Sequence, residues 1–302
     1  MTYSLKKIIF IFLLFNISSI YAANIPFKLG EVLNYKASFR GVITSNVWID
    51  IANIKLTIAP EMKKIEGQSA YLFQLDLTTE NFKKAEVIYS VRYHINSYVN
   101  EKLNKTLFYE ETTQTRKFKH KVIWFDWKNK IGELFRNRKK TKIKKNFFQR
   151  EYVWVKPEKD NVPVQLLKRF TDVSPGVPYL KNANDGKIAL PDEVYDRLSA
   201  VQAFRKLQLK PGEKVVVPVF SGKAVNYNQV STEGEEVLMI NNKPVKTIKL
   251  KIATSHLSGV FKKSKNASLS IWLTADKRKI PVRIHAKVKY GIFGAELLNL
   301  NH

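Results

Sequence analysis

From Glu31 onward, apolar and polar residues alternate in short runs, the period-two pattern of strands buried on one face. Glu31–Ala37, Val47–Ile51, Ile54–Ile58, Tyr71–Leu77 and Ala85–Val91 each predict a strand. Lys121–Trp127 and Ile131–Phe135, separated by Lys128-Asn129-Lys130, predict a hairpin. The pattern resumes at Val215–Phe220, Ala224–Val230, Glu235–Ile240, Val245–Ile252, Leu269–Leu273, Ile280–Val288 and Ile292–Leu297. Turn residues at Asn241-Asn242-Lys243-Pro244 and Asp276-Lys277 separate some of these runs, as an antiparallel meander requires.

One stretch has the helical period instead. Val194, Leu198, Val201, Phe204 and Leu207 recur at spacings of four and three. Pro191 suits a first helical position, Asp192 and Glu193 suit the positive end of the helix dipole, and Pro211-Gly212 ends the run. The segment 157–190 is rich in Pro, Gly and Asn, and a short helix is expected within it over Val164–Phe170. The expected fold is mainly β: an antiparallel meander curved into an open or partly closed barrel, with an amphipathic helix over about 191–208 packed on it. The expected organisation is a β half over 23–156, the irregular insertion 157–190, and a helix plus β half over 191–302, the halves forming one domain.

The first 22 residues have a different pattern. Lys6 and Lys7 precede the apolar run Ile8–Phe15, which gives way to Asn16, Ser18 and Ser19, and Ala22-Ala23 offers small residues for cleavage. This is the layout of a secretory signal cut after Ala22. The apolar run is about half of the ~20 residues that a spanning helix needs. Export to the periplasm is the expectation, with no later segment apolar enough to span a bilayer.

Composition changes the picture in two ways. There is no Cys, so thiol catalysis, iron–sulfur clusters, Cys-based zinc sites and attachment of lipid to an N-terminal cysteine are excluded, and stability must come from burial. The formal charge is +26, or +24 once Lys6 and Lys7 leave with the signal. Such an excess favours polyanions, and outside the cytoplasm these are lipid headgroups, lipopolysaccharide and cell-wall polymers, not nucleic acid. A lysine-rich surface with no specific partner explains the same number.

The densest cationic–aromatic stretch is the hairpin and its exit. Lys119, Lys121, Lys128, Lys130, Arg136, Arg138, Lys139 and Lys140 interleave with Trp124 and Trp127. As a site, this set would hold phosphates with its cations and acyl chains or sugar rings with its indoles. Strand alternation over an ordinary aromatic core gives the same pattern without a ligand. Asp192 and Asp196, four apart, suit an acid/base pair on one helix face, or a cap and a structural ion pair. His94, His120, His256, His285 and His302 show no metal-ligand spacing, and there is no phosphate-binding glycine loop or Gly-x-Ser-x-Gly elbow. No metal and no cofactor is expected.

Several stretches, in order, resemble exported bacterial proteins of the domain of unknown function 3108 family. They are Phe27–Tyr35 with Gly30, Glu31 and Tyr35; the hairpin Val122–Trp127; Asp196-x-Leu198-Ser199 followed by Arg205; and Leu269–Val282 with Trp272, Asp276 and Pro281. The resemblance covers most of the chain after the signal. It implies a periplasmic, β-rich protein and lends no activity. Thr44-Ser45-Asn46 stands where the family more often has glycine after the first strand.

The functional expectation is a non-enzymatic periplasmic protein that binds or handles an anionic envelope component: lipid, lipopolysaccharide or polysaccharide. The alternative is an assembly protein docking on an envelope complex, with a hydrolase third. A deep apolar cavity would favour lipid; a filled interior would favour a protein partner.

Overall fold

The computed structural model describes residues 25–137, 152–154, 163–173, 179–182, 187–208, 210–253 and 267–300. Among them, 17 strands form one antiparallel sheet. The first half runs β1 (Val32–Gly41), β2 (Ile49–Ile58), β3 (Lys63–Ile65), β4 (Gln68–Thr78), β5 (Arg92–Asn100), β6 (Thr106–Gln114), β7 (Phe118–Asp126) and β8 (Ile131–Asn137). The short strands β9 (Tyr152–Trp154), β10 (Tyr179–Asn182) and β11 (Ile188–Ala189) follow. The second half runs β12 (Lys214–Phe220), β13 (Val225–Ile240), β14 (Lys243–Ile252), β15 (Ser268–Thr274), β16 (Pro281–Val288) and β17 (Gly291–Leu297).

Each half is a meander of neighbouring antiparallel strands. β17 joins the halves by pairing with β1, from Tyr35↔Leu297 to Gly41↔Gly291. β3 continues β2 along one edge of β4, and β10 and β11 share one edge of β8, so the sheet has 15 places. It does not close. Among the described residues, β12 ladders with β13 alone, and its other side meets only Tyr195, through a bridge to Val219. The expected open or partly closed barrel is therefore found as an open one.

The sheet curls around a filled interior. Tyr35, Leu56, Phe73, Ile95, Ile123 and Phe125 from the first half face Phe220 and Leu198 there. Helix α3 (Ser199–Lys206) sets Ala200, Ala203 and Phe204 against Val217, Val230, Leu250, Ile271 and Leu273. Gly132 is needed where Phe220 crosses, because a Cβ there would overlap the Phe220 ring. Outside, helix α2 (Val164–Val173) lays Leu166 and Phe170 over Leu72, Phe108, Val122 and Phe135. Under α2, parts of β4, β6, β7 and β8 are thus buried on both faces, whereas β1 and β2 keep one face toward solvent.

Four features differ from the sequence expectation. Ala85–Val91 is not a strand: Lys83–Tyr89 forms the short helix α1. Both neighbouring strand edges are already occupied, since β4 pairs with β5 directly. The Glu86 carboxylate accepts hydrogen bonds from Thr79, Ser90 and Arg92, which fixes the turn. β5 and β6 have polar inward positions, among them Ser97 and Thr106, and so break the alternation that marks strands. Val47–Ile58 and Ala224–Ile240 each hold one long strand rather than two, β13 absorbing Gly234 in a bulge. The helix predicted over 191–208 covers only Ser199–Lys206. Pro191–Asp196 is pulled straight by bridges from Val194 to Lys105 and from Tyr195 to Val219. Residues at nearly every position of α3 are buried, so it lies within the curl of the sheet rather than across its surface.

Candidate functional site

Two constellations stand out. The first is buried and gathers the residues of the family-like stretches. The helical turn leading into α3 begins at Asp196, whose carbonyl accepts from Ala200 N at 3.0 Å. Asp196 Oδ1 accepts from Leu198 N at 2.7 Å and Ser199 N at 3.1 Å. Its own N–H is shared between Ser199 Oγ and Thr106 Oγ1, each at 2.9 Å. This is a reciprocal helix cap with Asp at the first position and Ser three later. Oδ2 accepts from Ser97 Oγ at 2.5 Å and Thr106 Oγ1 at 3.0 Å. A carboxylate that is 0% exposed is thereby tied to β5, β6 and its own helix.

Toward the end of the same helix, Arg205 is 1% exposed, and all five of its N–H groups have acceptors. Nη1 and Nη2 grip Glu31 at 2.5 and 3.0 Å. The remaining three donate to Gln202 Oε1 at 3.1 Å, the Pro26 carbonyl at 2.7 Å and the Arg278 carbonyl at 3.0 Å. Gly30 precedes Glu31 with φ +80°, a conformation that glycine adopts freely. Asp276 Oδ1 shapes the β15–β16 turn by accepting from Thr274 Oγ1 at 2.6 Å and Arg278 N at 3.1 Å. Burial pushes that carboxyl up, but hydrogen bonds from Thr274 and Arg278 outweigh it and hold it below the usual carboxylate range. Tyr35 Oη donates to the Pro281 carbonyl at 2.8 Å, and burial raises the phenol well above its usual value. Trp272 sits on β15 and donates its indole N–H to Glu236. Leu198 completes the packing at 4% exposure.

The charged groups of this junction are closed off by protein partners, and the Gln202 amide nitrogen is the buried group left unpaired among the described residues there. Asp192 stands apart from Asp196, exposed, with Lys130 Nζ at 2.7 Å. The two carboxylates therefore do not form an acid/base pair, and Asp196, not Asp192, caps the helix. Ser199 is 1% exposed, its Oγ is engaged with Thr106 at 3.0 Å, and no histidine among the described residues hydrogen-bonds to it.

The second constellation opens to solvent. A cleft of about 390 Å³ lies between β3, the outer face of β5–β7 and helix α2. Tyr98, Phe108 and Trp124 form its floor, and Lys63, Lys64, Lys168 and Arg169 stand on its walls beside Glu66 and Asp172. The Arg169 guanidinium lies 5.1 Å from the Phe108 ring centroid and 5.8 Å from that of Tyr98. Arg169 is anchored from below by Glu110, which is 3% exposed. Glu110 also meets His120 Nε2 at 2.9 Å, while His120 Nδ1 meets Tyr179 Oη. Burial pushes the Glu110 carboxyl up, but hydrogen bonds from His120 and Arg169 and the guanidinium charge hold it at about 2.

The predicted cationic hairpin is only partly gathered here. Trp124 enters the cleft. Trp127 instead donates to the Thr106 carbonyl at 2.8 Å, beneath Lys105 at 4.4 Å. Lys121 is half-buried and paired with Glu111 at 3.0 Å, and burial lowers its pKa. Arg136 lies beside Lys121 across the ladder. Lys119 and Lys128 are exposed, and Lys130 pairs with Asp192. Arg138, Lys139 and Lys140 lie outside the described residues. Glu110, Arg169, Lys63 and Lys64 were not singled out by sequence. The available signal was an acid two strands from a basic run, which no spacing rule isolates.

Among the described residues, no group of His, Asp and Glu could hold a metal ion. No helix there is long and apolar enough to cross a membrane.

No curated protein matches the chain. Among solved structures it is similar to a crystal structure of a beta-barrel-like protein of domain of unknown function DUF1849 from Brucella abortus. That match has 6% identity and a TM-score of 0.45, covering 89% of this chain and 96% of the other. The family described as protein of unknown function (DUF3108) matches residues 34–164 and 175–298, and these spans contain the Asp196 cap, the Arg205 anchor and the β15–β16 turn. The chain belongs to the DUF3108 family.

Proposed function

We propose that this protein is a non-enzymatic, exported component of the cell envelope that binds an anionic envelope molecule on its outer surface. The supporting observation is the cleft in which four cations surround the floor of Tyr98, Phe108 and Trp124. Cations provide for phosphate or carboxylate, and the aromatic floor provides for acyl chains or sugar rings. Arg169 is positioned before any ligand arrives, because Glu110, itself held by His120, grips it from beneath, and a fixed donor loses less entropy on binding. Export, supported by the signal-like first 22 residues, selects envelope anions over nucleic acid.

The test is titration of the mature chain with purified lipopolysaccharide, followed by tryptophan emission at low and high salt. The expected result is salt-sensitive binding, weakened about tenfold or more by Trp124→Ala combined with Lys64→Glu. Binding unaffected by those substitutions, or absent at low salt, would overturn the reading.

A second reading has its own observation. The curled sheet is filled by α3 and Phe220 rather than hollow. This favours docking on an envelope protein. Crosslinking in cells that recovers one protein partner through residues of the cleft would replace the first reading with this one.

A further inference from the structure

Most exposed apolar side chains on a soluble domain are scattered singly. Here they are not. Seven described large apolar residues are more than 60% exposed, and all seven lie in connections at one end of the sheet. The register shows that these connections share an end: Gly41 pairs with Gly291, Asn53 with Thr78, Thr78 with Arg92, and Arg92 with Gln114. The β1–β2 tip carries Val42 at 82%, Ile43 at 83% and Val47 at 61% exposure. Helix α1, between β4 and β5, carries Val87 at 86%, Ile88 at 79% and Tyr89 at 62%. The β16–β17 turn carries Tyr290 at 66%. Trp48 and Phe118 flank these tips, less exposed.

The charge at this end is one-sided. The connections 42–48, 79–91, 115–117 and 289–290 contain Lys83, Lys84, Arg116, Lys117 and Lys289. Their two acids, Glu80 and Glu86, both lie within ion-pair distance of Arg92, at 3.6 and 3.1 Å. Lys289 stands 5.4 Å from the Tyr290 ring centroid.

We infer that this end of the sheet is a docking surface for an anionic phospholipid bilayer, with the aliphatic tips entering the headgroup layer and the lysines meeting lipid phosphates. Aliphatic tips on a cationic rim, with tyrosines and a tryptophan at the boundary, match the chemistry of an interfacial membrane contact. A protein partner fits less well, since protein interfaces are depleted in lysine. The surface is separate from the cleft, which opens between α2 and the β3–β4 turn. The inference therefore goes beyond the proposed cleft ligand and stands without it.

The test is co-sedimentation of the mature chain with vesicles of phosphatidylglycerol and phosphatidylcholine, against vesicles of phosphatidylcholine alone. The test variant is the fourfold substitution Val42→Ser, Ile43→Ser, Val87→Ser and Ile88→Ser, which removes only solvent-exposed methyl groups and so leaves thermal unfolding unchanged. Binding is expected to the anionic vesicles, to fall with salt, and to weaken about tenfold or more in the variant. A Trp124→Ala, Lys64→Glu variant is expected to keep vesicle binding, so failure of the cleft reading and failure of this one are separable. Absence of binding to anionic vesicles, or equal binding by the fourfold serine variant, overturns the inference. A dimer that the serine substitutions dissolve, without vesicle binding, overturns it in favour of a second copy of the chain.

Discussion

Around helix α3 charge is buried and closed on itself, whereas along β7, β8 and the cleft it is spread over a surface with only its foundation buried. Asp196 and Arg205 are both sealed from water, with every acceptor or donor in use. Lys119, Lys128 and Lys130 face solvent, and the cleft cations line an open space. The difference separates two roles that look alike in sequence. Residues of the family-like stretches at the junction hold the fold, because the Asp196 carboxylate and the Arg205 guanidinium are fully committed to protein partners. The proposed ligand chemistry draws instead on the open surface, where Lys119 and Lys128 face solvent and Arg169 is held in place by Glu110.

The sharpest way to break this contrast is at Arg205. Arg205→Met leaves the Glu31 carboxylate and the Pro26 and Arg278 carbonyls without their donor. Removing one member of a buried ion pair costs on the order of 3–5 kcal/mol, read as a lower urea midpoint. Adding Glu31→Gln to Arg205→Met removes the orphaned charge and should recover part of the loss. A single variant as stable as the parent would show that the junction is not the anchor of the fold.

The buried foundation of the cleft gives a pH-dependent effect of the next size. Glu110 has a carboxyl held at about 2 against an ordinary 4.5. A carboxylate with a lowered folded-state pKa stabilises fully above its unfolded value and loses that contribution as pH falls through the folded value. The expected loss is on the order of 3 kcal/mol between about pH 5 and about pH 2. Glu110→Gln should be less stable at neutral pH and should flatten that part of the stability–pH curve. Glu86 is also held at about 2, by hydrogen bonds from Arg92, Thr79 and Ser90, but it lies at the surface and contributes little to this window.

The fold is joined a third way, by packing between the two halves, which tests the interior without any charge. Gly132→Ala pushes a methyl group into the Phe220 ring. Overpacking of this kind costs about 1–3 kcal/mol. Phe220→Leu in the same chain should relieve the overlap, so the double variant should be destabilised by less than the sum of the singles, as thermal melts would show.

Much of the sheet was legible because its strands alternate cleanly. β1, β4, β7, β8, β12 and β14 to β17 lie close to the runs that predicted them. What was not legible follows from buried polar residues. β5 and β6 turn Ser97 and Thr106 inward to Asp196, and Glu110 outward to His120 and Arg169, all supplied from elsewhere in the chain. No local period encodes a hydroxyl that meets a helix 99 residues away. Asp192 and Pro191 gave a proper helix-start signal, yet tertiary bridges at Val194 and Tyr195 delayed the helix to the Asp196 cap. The junction residues were visible as a family-like set, but their convergence on one helix was not. The cleft was half visible: Trp124 stood in the cationic run, whereas Lys63, Lys64 and Arg169 come from separate segments.

The smallest expected effect completes the contrast on its exposed side. Lys130 and Asp192 form an ion pair at 2.7 Å with side chains 62% and 83% exposed. The hydrogen bond from Lys130 lowers the Asp192 carboxyl below its usual range. Water screens such a pair and both side chains lose freedom in making it, so its coupling should be far below that of a buried pair. A double-mutant cycle with Lys130→Met and Asp192→Asn, read by urea unfolding at low and high salt, measures that coupling directly. A value near that of the buried Arg205–Glu31 pair would mean that charge on this hairpin is structural after all. A small, salt-sensitive value would leave the hairpin's cations as surface charge, free of any duty to the fold and so available to a ligand.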